Sequence, residues 1–216
     1  MSAPPRLMVG DRLVIATHND GKLAEFRDLF EPYGLDIVSA GELGLPEPDE
    51  TGTTFVENAR IKAHAAASAS GSLALSDDSG LCAEALGGQP GVYTANWAGP
   101  GRDFNLGMRR LEDALQAANA TRPSERRGHF MATLCLAQPD GTDWIFEGRV
   151  DGTLLWPPRG ERGHGFDPVF MPDGYDITFG QMPAEMKHSY APGRTGLSHR
   201  ARAFAAFAAS VLEGRR

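Results

Sequence analysis

The chain has 216 residues, 41% of them hydrophobic, and a formal net charge of -7 at pH 7. This length can bury a sizeable core, and no linker separates independent domains. We therefore expect residues 1–216 to form one large domain or one domain with two lobes, with residues 1–11 disordered or irregular. The net negative charge argues against nonspecific nucleic-acid binding, which depends on clustered positive charge. Since no apolar run has signal-peptide or membrane-span length, we expect no membrane partner and a cytoplasmic location.

The first segment predicts a strand, a tight loop and a helix. Residues 12–17 form an apolar β-type run, residues 18–21 break it, and apolar residues then recur at helical spacing up to residue 30. Lys22 falls in the first turn of this helix, where free backbone N–H groups favour an anion such as phosphate. The alternative is that Lys22 extends into water while Asn19 or Asp20 caps the helix.

A second helix is predicted from about residue 54 to residue 68. Thr54 and Glu57 have the spacing of a capping box, and the segment that follows is rich in alanine. Asn58 and Lys62 lie four residues apart on this helix and therefore share a face. Two interpretations of Lys62 stay open, one in which it is held near a site and one in which it is solvated.

The segment Ser76-Asp77-Asp78-Ser79-Gly80 follows a short apolar run and predicts two carboxylates at the exit of a strand. Because side chains alternate across a strand, Asp77 and Asp78 should point to opposite sides, so only one of them faces a given site. Such a carboxylate is a suitable ligand for a divalent metal. The alternative is a plain turn, since all of these residue types favour turns.

The remaining elements complete an α/β pattern. A Gly- and Pro-rich irregular loop is predicted over 87–101, and a Gly-rich loop over 163–168. Helices are predicted near 103–118 and from 198 to about 212, short strands over 35–38 and 152–156, and a hairpin around Asp140-Gly141. We expect a mixed central β-sheet flanked by helices, with two lobes and a substrate cleft between them. The two cysteines, Cys82 and Cys135, predict buried free thiols rather than a disulfide or zinc site.

Six of these segments, in this order, resemble motifs of the inosine/xanthosine triphosphate pyrophosphatase family. They are residues 17–22 (THNDGK), 50–63 (ETG, FVENA and KA), 76–81 (SDDSGL), 86–93 (LGG and PGVY), 165–170 (GFDPVF) and 198–200 (SHR). The resemblance extends from residue 12 to the last helix. It implies an enzyme that converts ITP, dITP or XTP to the monophosphate and pyrophosphate, with Mg²⁺ as cofactor and a homodimer as the usual assembly.

The resemblance also assigns roles to single residues. It implies that Asp78 is the general base and, with Glu50, a ligand of Mg²⁺, while Asp77 orients the turn or binds outer-shell water. The phosphates would be bound by Lys22 and Lys62 with Thr17, His18, Asn19 and Ser79. The base would be bound by His164, Gly165, Phe166, Asp167, Lys187, His199 and Arg200, with Phe166 as a stacking surface.

Three departures from the family pattern are visible. His164 stands where many members have an aromatic residue, and Asn96 stands where many have an arginine. The segment before Ser198 is longer than usual, which makes Arg194 a competing contact for phosphate or base.

Two other functions stay open. One is a Maf-type pyrophosphatase of pyrimidine or modified nucleotides, although residues 17–22 lack the serines and arginine of that motif. The other is a nucleotide-binding sensor without turnover, which would not need the acids Glu50, Asp77 and Asp78.

Overall fold

The predicted helices and strands are largely reproduced in a computed structural model, which describes residues 3–188, 190–191 and 194–212, without the side chains of Asp20, Tyr190, Ala191 and Arg194. The helices are α1 (Asp20–Phe30), α2 (Phe55–Ser70), α3 (Thr94–Trp97), α4 (Phe104–Ala117), α5 (Ala184–His188) and α6 (His199–Val211). The strands are β1 (Arg12–Ile15), β2 (Asp36–Ser39), β3 (Ala74–Ala83), β4 (Arg127–Ala137), β5 (Asp143–Leu154), β6 (Phe170–Pro172), β7 (Tyr190–Ala191) and β8 (Arg194–Thr195). The proposed contact from Arg194 lies outside the described side chains.

Six strands form a mixed sheet in the order β2-β1-β3-β4-β5-β6. Strand β1 is parallel to β2 and to β3, whereas β6 is antiparallel to β5. The parallel strands β1, β2 and β3 are connected through α1 and α2, and β4 and β5 are joined by a short turn, which is the arrangement expected from early strand-helix alternation and a late hairpin. The prediction of a mixed sheet flanked by helices is therefore confirmed.

The chain divides into two compact units. Unit 1 comprises Met1–Asp78, Thr133–Glu147 and Ala203–Arg216, and unit 2 comprises Ser79–Ala132 and Gly148–Arg202. The boundaries fall within β3, β4 and β5, so each of these strands contributes residues to both units.

The core of unit 1 combines small and aromatic side chains. Alanines of α2, among them Ala59 and Ala63, pack in one buried cluster with Val14. Because alanine has a short side chain, α2 approaches its neighbours closely. A second contact is aromatic, with the ring of Phe30 at the end of α1 lying 5.1 Å from Phe204 and 5.7 Å from Phe207 of α6.

The core of unit 2 is built around Phe130, Phe170 and Phe179, whose ring centroids lie 4.7 to 6.1 Å apart. A buried ion pair joins Glu112 of α4 to Arg126, which precedes β4. Arg126 also donates a hydrogen bond of 2.7 Å to the carbonyl of Leu154, so this pair links a helix to two strands.

Two predicted details are corrected by the structure. Residues 152–156 do not form a separate strand, because β5 continues to Leu154. The loop over 87–101 contains α3 and a 3-10 turn at Gly91–Tyr93. Residues 3–11 are irregular apart from an isolated bridge at Leu7, which is buried and donates its N–H to the carbonyl of Val211.

The prediction for the cysteines is confirmed, since both are free and buried. Among the described residues, no helix combines the length and apolar character needed to cross a bilayer.

Candidate active site

The segment around Asp77 and Asp78 is an interior part of β3 and not a turn at its exit. Strand β3 runs from Ala74 to Ala83, and both aspartates are buried within it. Its position between β1 and β4 supplies partners on both sides, and this tertiary context outweighs the turn preference of the sequence. The prediction of a strand exit, like the alternative of a plain turn, is therefore wrong.

The two aspartates contact lysines from two different helices. Asp77 Oδ2 lies 3.0 Å from Nζ of Lys22 in the first turn of α1, and Asp78 Oδ1 lies 2.9 Å from Nζ of Lys62 in α2. These separate partners agree with the expectation that neighbouring residues of a strand divide their roles.

Lys62 brings the candidate metal ligands together. Its Nζ donates to Glu50 Oε1 at 3.0 Å and to Asp78 Oδ1 at 2.9 Å. The lysine is 8% exposed, so the solvated alternative for Lys62 is wrong. Burial acts to lower the pKa of Lys62, but the charges of Asp78 and Glu50 outweigh it and the pKa is raised, which keeps this lysine protonated.

Asp78 is a weaker acid than an ordinary aspartate. Its pKa is raised because burial disfavours the carboxylate, and the charges of Glu50 and Asp77 add to this effect against the opposing Lys62. Among the described residues, the buried Asp78 Oδ2 has no hydrogen-bond partner. One carboxylate oxygen of Asp78 is thus held by Lys62, and the other remains able to bind a cation or a water molecule.

The loop between β1 and α1 is shaped by its own side chains. Asn19 Oδ1 accepts from the N–H of Lys22 and caps α1, as the alternative for this turn expected, although Lys22 itself contacts Asp77; Thr17 Oγ1 accepts from the N–H of Asn19. His18 Nε2 lies 2.7 Å from the carbonyl oxygen of Leu45. Thr17, His18 and Asn19 line a cavity of about 260 Å³ together with Leu23, Ser39, Gly41 and Glu42. This cavity in unit 1 is next to the N-terminal turn that contains Lys22.

A second predicted group lies in unit 2. Asp167 Oδ2 accepts from Lys187 Nζ at 2.9 Å and from the N–H of His164 at 3.2 Å. Gly163 has a φ of +85°, and a Cβ on it would lie 1.9 Å from Asp167 Oδ2. The Gly-rich loop is therefore closed around an ion pair whose lysine is buried.

Ser79, His199 and Arg200 belong to the same unit. The ring of His199 stacks on Phe130 with a centroid distance of 4.9 Å and an interplanar angle of 12°. Arg200 Nη2 lies 3.4 Å from Ser79 Oγ. The first residues of α6 thus contact both the aromatic core of unit 2 and β3.

The prediction that Phe166 offers a stacking surface is wrong in this structure. Phe166 is 1% exposed, and its ring packs edge-on against Phe104 in the core of unit 2. The ring therefore has no exposed face for a base, although the neighbouring backbone of Gly165 is more accessible.

Sequence reasoning missed one group of potential metal ligands. Glu84, His129 and Asp151 present ligand atoms within 4.8 Å of one another in unit 2. Arg149 Nη2 lies 2.6 Å from Asp151 Oδ1 and competes for this carboxylate. No spacing in the sequence signals the group, because its members follow β3 or lie on β4 and β5 and meet only through the sheet.

The chain is similar to known proteins along nearly its whole length. A model of the Ham1 family matches residues 13–210. A dITP/XTP pyrophosphatase of Mesorhizobium japonicum is 58% identical over 208 residues, which are 94% of this chain and 94% of that protein. Another, from Brucella melitensis, is 56% identical over 211 residues, which are 96% of each chain.

Solved structures show the same similarity. A HAM1 protein from Coxiella burnetii has a TM-score of 0.83 and 31% identity, covering 92% of this chain and 97% of that one. The Ham1 protein of Staphylococcus aureus has a TM-score of 0.79 and 32% identity, with the same coverage.

Proposed function

The chain belongs to the Ham1 family, and on this premise we propose that it hydrolyses dITP, ITP and XTP to the monophosphate and pyrophosphate. Such an enzyme is a hydrolase of nucleoside triphosphates, and it would remove non-standard purines from the nucleotide pool. The observation that carries the proposal is the contact of Lys62 Nζ with both Glu50 and Asp78. A buried lysine between two carboxylates is a suitable arrangement for binding a metal and a polyphosphate side by side.

We propose that Glu50 and Asp78 hold Mg²⁺. Mg²⁺ is usually bound by one or two carboxylates, with water and substrate phosphate completing its coordination. The residues fit this pattern, since Asp78 Oδ2 is a buried acceptor without a partner among the described residues and the Glu50 side chain is 41% exposed. When bound, the metal would neutralise charge on the triphosphate.

The phosphates are proposed to lie at the N-terminus of α1. Free backbone N–H groups of a first helical turn favour anions, and the cation of Lys22 lies in that turn. The Lys22 side chain is 34% exposed, so its ammonium can contact a phosphate as well as Asp77. Thr17, His18 and Asn19 would add polar contacts from the cavity of about 260 Å³.

Asp78 is proposed as the general base. The Asp78 carboxylate would accept a proton from a water molecule, whose oxygen attacks the α-phosphorus as the bond to the bridging oxygen of pyrophosphate breaks. Lys22 and Lys62 would neutralise the departing pyrophosphate. Since phosphoryl transfer depends mainly on positioning and charge stabilisation, the mechanism needs no covalent nucleophile.

The purine base of the nucleotide is proposed to contact residues of unit 2. The contacts would be supplied by His164, Gly165, Asp167, Lys187, His199 and Arg200, while Ser79 would contribute to phosphate binding. Donors placed at the 6-oxo group of hypoxanthine or xanthine would be left facing the amino group of adenine, and mispaired buried groups discriminate strongly between substrates.

The assembly is implied by the resemblance and the location by the hydropathy of the sequence, and both stay predictions. We propose a homodimer, for which light scattering after gel filtration should give twice the chain mass of 23.2 kDa. A mass of one chain would contradict this. We also propose a cytoplasmic location.

The function is tested by measuring pyrophosphate release from ITP, XTP, ATP, GTP and dTTP in the presence of Mg²⁺. We expect turnover of ITP and XTP with little activity on ATP and GTP. A preference for dTTP would instead favour the Maf-type activity, and tight ITP binding without pyrophosphate release would favour a sensor.

A further inference from the structure

Helix α2 fixes the loop that carries Glu50. Residues 45–52 have no regular secondary structure, so the position of Glu50 depends on contacts made by side chains. Within this loop, the N–H of Gly52 donates to Oδ1 of Asn58 at 2.8 Å. Asn58 lies in α2 and is 2% exposed. A partly buried hydrogen bond to a single amide oxygen therefore anchors the loop two residues after Glu50.

The contact between the loop and α2 is too close for any residue but glycine. A Cβ on Gly52 would lie 2.6 Å from Asn58 Oδ1 and 2.6 Å from Glu57 Cβ. Glu57 Oε2 accepts from the N–H groups of Thr53 and Thr54 at 2.7 and 3.0 Å. The backbone that leads into α2 is therefore held by two side chains of the helix, Glu57 and Asn58.

Asn58 and Lys62 act from the same face of the helix. They are four residues apart and both are buried. Asn58 holds Gly52 while Lys62 holds Glu50, so the helix contacts the loop at two points. A third contact joins the helix to β3, since Ser76 Oγ donates to the carbonyl of Ala59 at 2.6 Å. The positions of the two proposed metal ligands, Glu50 and Asp78, are therefore both fixed by contacts with α2.

We infer that Asn58 is a positioning residue that holds the Glu50 loop in its metal-binding position through Gly52. This inference rests on the proposed function of Glu50 and Asp78. Asn58 touches neither metal nor substrate in this scheme, so its removal should weaken metal binding more than it changes the chemical step. Outer-shell partners of metal ligands are commonly worth about 10- to 100-fold in metal affinity.

The test measures metal binding in two ways. The Mg²⁺ concentration for half-maximal ITP turnover is compared with the affinity for Mn²⁺, measured by electron paramagnetic resonance without nucleotide. For Asn58→Ala we expect the Mg²⁺ concentration for half-maximal turnover to rise, and the Mn²⁺ affinity to fall, by about 10- to 100-fold. The change in kcat at saturating Mg²⁺ should be smaller. Asn58→Asp keeps an acceptor oxygen for Gly52 and should lose less metal affinity than Asn58→Ala, while its buried charge should lower the Tm. If Asn58→Ala does not fold, Asn58→Ser provides the same test, because its hydroxyl is too short to reach Gly52.

Thr54→Ala is the matched control. It removes the N-cap of the same helix, at a cost of about 1 kcal/mol, but leaves the contact between Asn58 and Gly52 in place. We expect a lower Tm with unchanged Mg²⁺ and Mn²⁺ values. Unchanged metal binding in Asn58→Ala, or an equal loss in Thr54→Ala, would overturn the inference. Absence of ITP hydrolysis by the parent protein would refute the proposed function instead, while the Mn²⁺ measurement would still test Asn58.

Discussion

Asp77 and Asp78 are adjacent in sequence but differ in their surroundings. Asp77 contacts a lysine of α1, whereas Asp78 contacts a lysine of α2 and keeps a buried oxygen without a partner among the described residues. The raised pKa of Asp78, caused first by burial, makes its carboxylate a stronger base than an exposed one. Chemistry is therefore expected to depend on Asp78.

The Asp78→Asn variant tests this expectation. Asparagine has the same shape but cannot accept the proton of the attacking water, so kcat for ITP should fall by about 100- to 10,000-fold. In the absence of Mg²⁺, for which Asp78 is also a proposed ligand, binding of ITP, measured by calorimetry, and the Tm should change little. Near-normal ITP turnover by this variant would remove Asp78 from the role of base.

A second test separates two possible metal positions. In Glu50→Gln the loss of a carboxylate should raise the Mg²⁺ concentration for half-maximal turnover by about 10-fold or more. Asp151→Asn serves as the control, since Asp151 belongs to the group with Glu84 and His129 in unit 2. We expect no change in its Mg²⁺ requirement. The reverse result would place the functional metal in that group.

Single residues show where sequence reasoning reaches its limit. The buried state of Cys82 and Cys135 was predictable, because two isolated thiols rarely form a bridge or a metal site. The burial of Phe166 was not, since an aromatic residue in a Gly-rich loop can turn either inward or outward. In the structure the Phe166 ring turns inward because it contacts Phe104. This contact depends on the packing of α4, which the local sequence does not specify.

At the scale of elements, helices with local signals were predictable and the central strand was not. The capping box of Thr54 and Glu57 starts α2 as expected, and the turn at Asp140-Gly141 joins β4 and β5. Strand β3 contains residues that prefer turns, and it is stabilised by neighbours distant in the sequence. Local propensity cannot include such partners.

The loop that closes around Asp167 gives an element-scale prediction. Gly163 and Gly174 have nearly equal φ angles of +85° and +84°, but only Gly163 lacks space for a Cβ. Both alanine variants should lose about 1 to 2 kcal/mol from the left-handed backbone. Gly163→Ala should lose more, because its Cβ would lie 2.4 Å from Lys187 Nζ and displace the ion pair.

The measurements are urea unfolding and the KM for ITP. We expect a clearly larger loss of stability in Gly163→Ala than in Gly174→Ala, and a raised KM only in the former. Equal stability losses in the two variants would mean that the loop adjusts to the extra Cβ. A normal KM in Gly163→Ala would argue against a role of this loop in binding the base.

At the scale of the whole molecule, ionised carboxylates dominate the response to acid. Hydrogen bonds lower the pKa of six exposed or partly buried acids, Glu42, Glu57, Glu125, Asp140, Asp151 and Asp173. Burial opposes the effect at Glu112, but hydrogen bonds from Arg126 and Gln116 outweigh it and its pKa is also lowered. Asp78 is the opposite case, with a raised pKa.

The direction of the pH dependence follows from these shifts. An acid whose pKa is lower in the folded chain binds fewer protons there than in the unfolded chain, so stability rises with pH in that range. The stabilisation is complete above the unfolded pKa and is lost as the pH falls through the folded value. Asp78 acts in the opposite sense, but the acids with lowered pKa outnumber it.

We therefore expect the Tm to be nearly constant above about pH 5 and to fall progressively toward about pH 2. Calorimetry at several pH values checks this, and raising the salt concentration should flatten the part due to exposed pairs, because their charges are screened. Glu112→Gln should be less stable than the parent at pH 7 by about 3 to 5 kcal/mol, since it leaves Arg126 buried without a counter-charge. This difference should shrink as acid protonates Glu112 in the parent protein. A difference that stays the same from pH 7 to pH 2 would show that lost packing, and not lost charge, destabilises the variant.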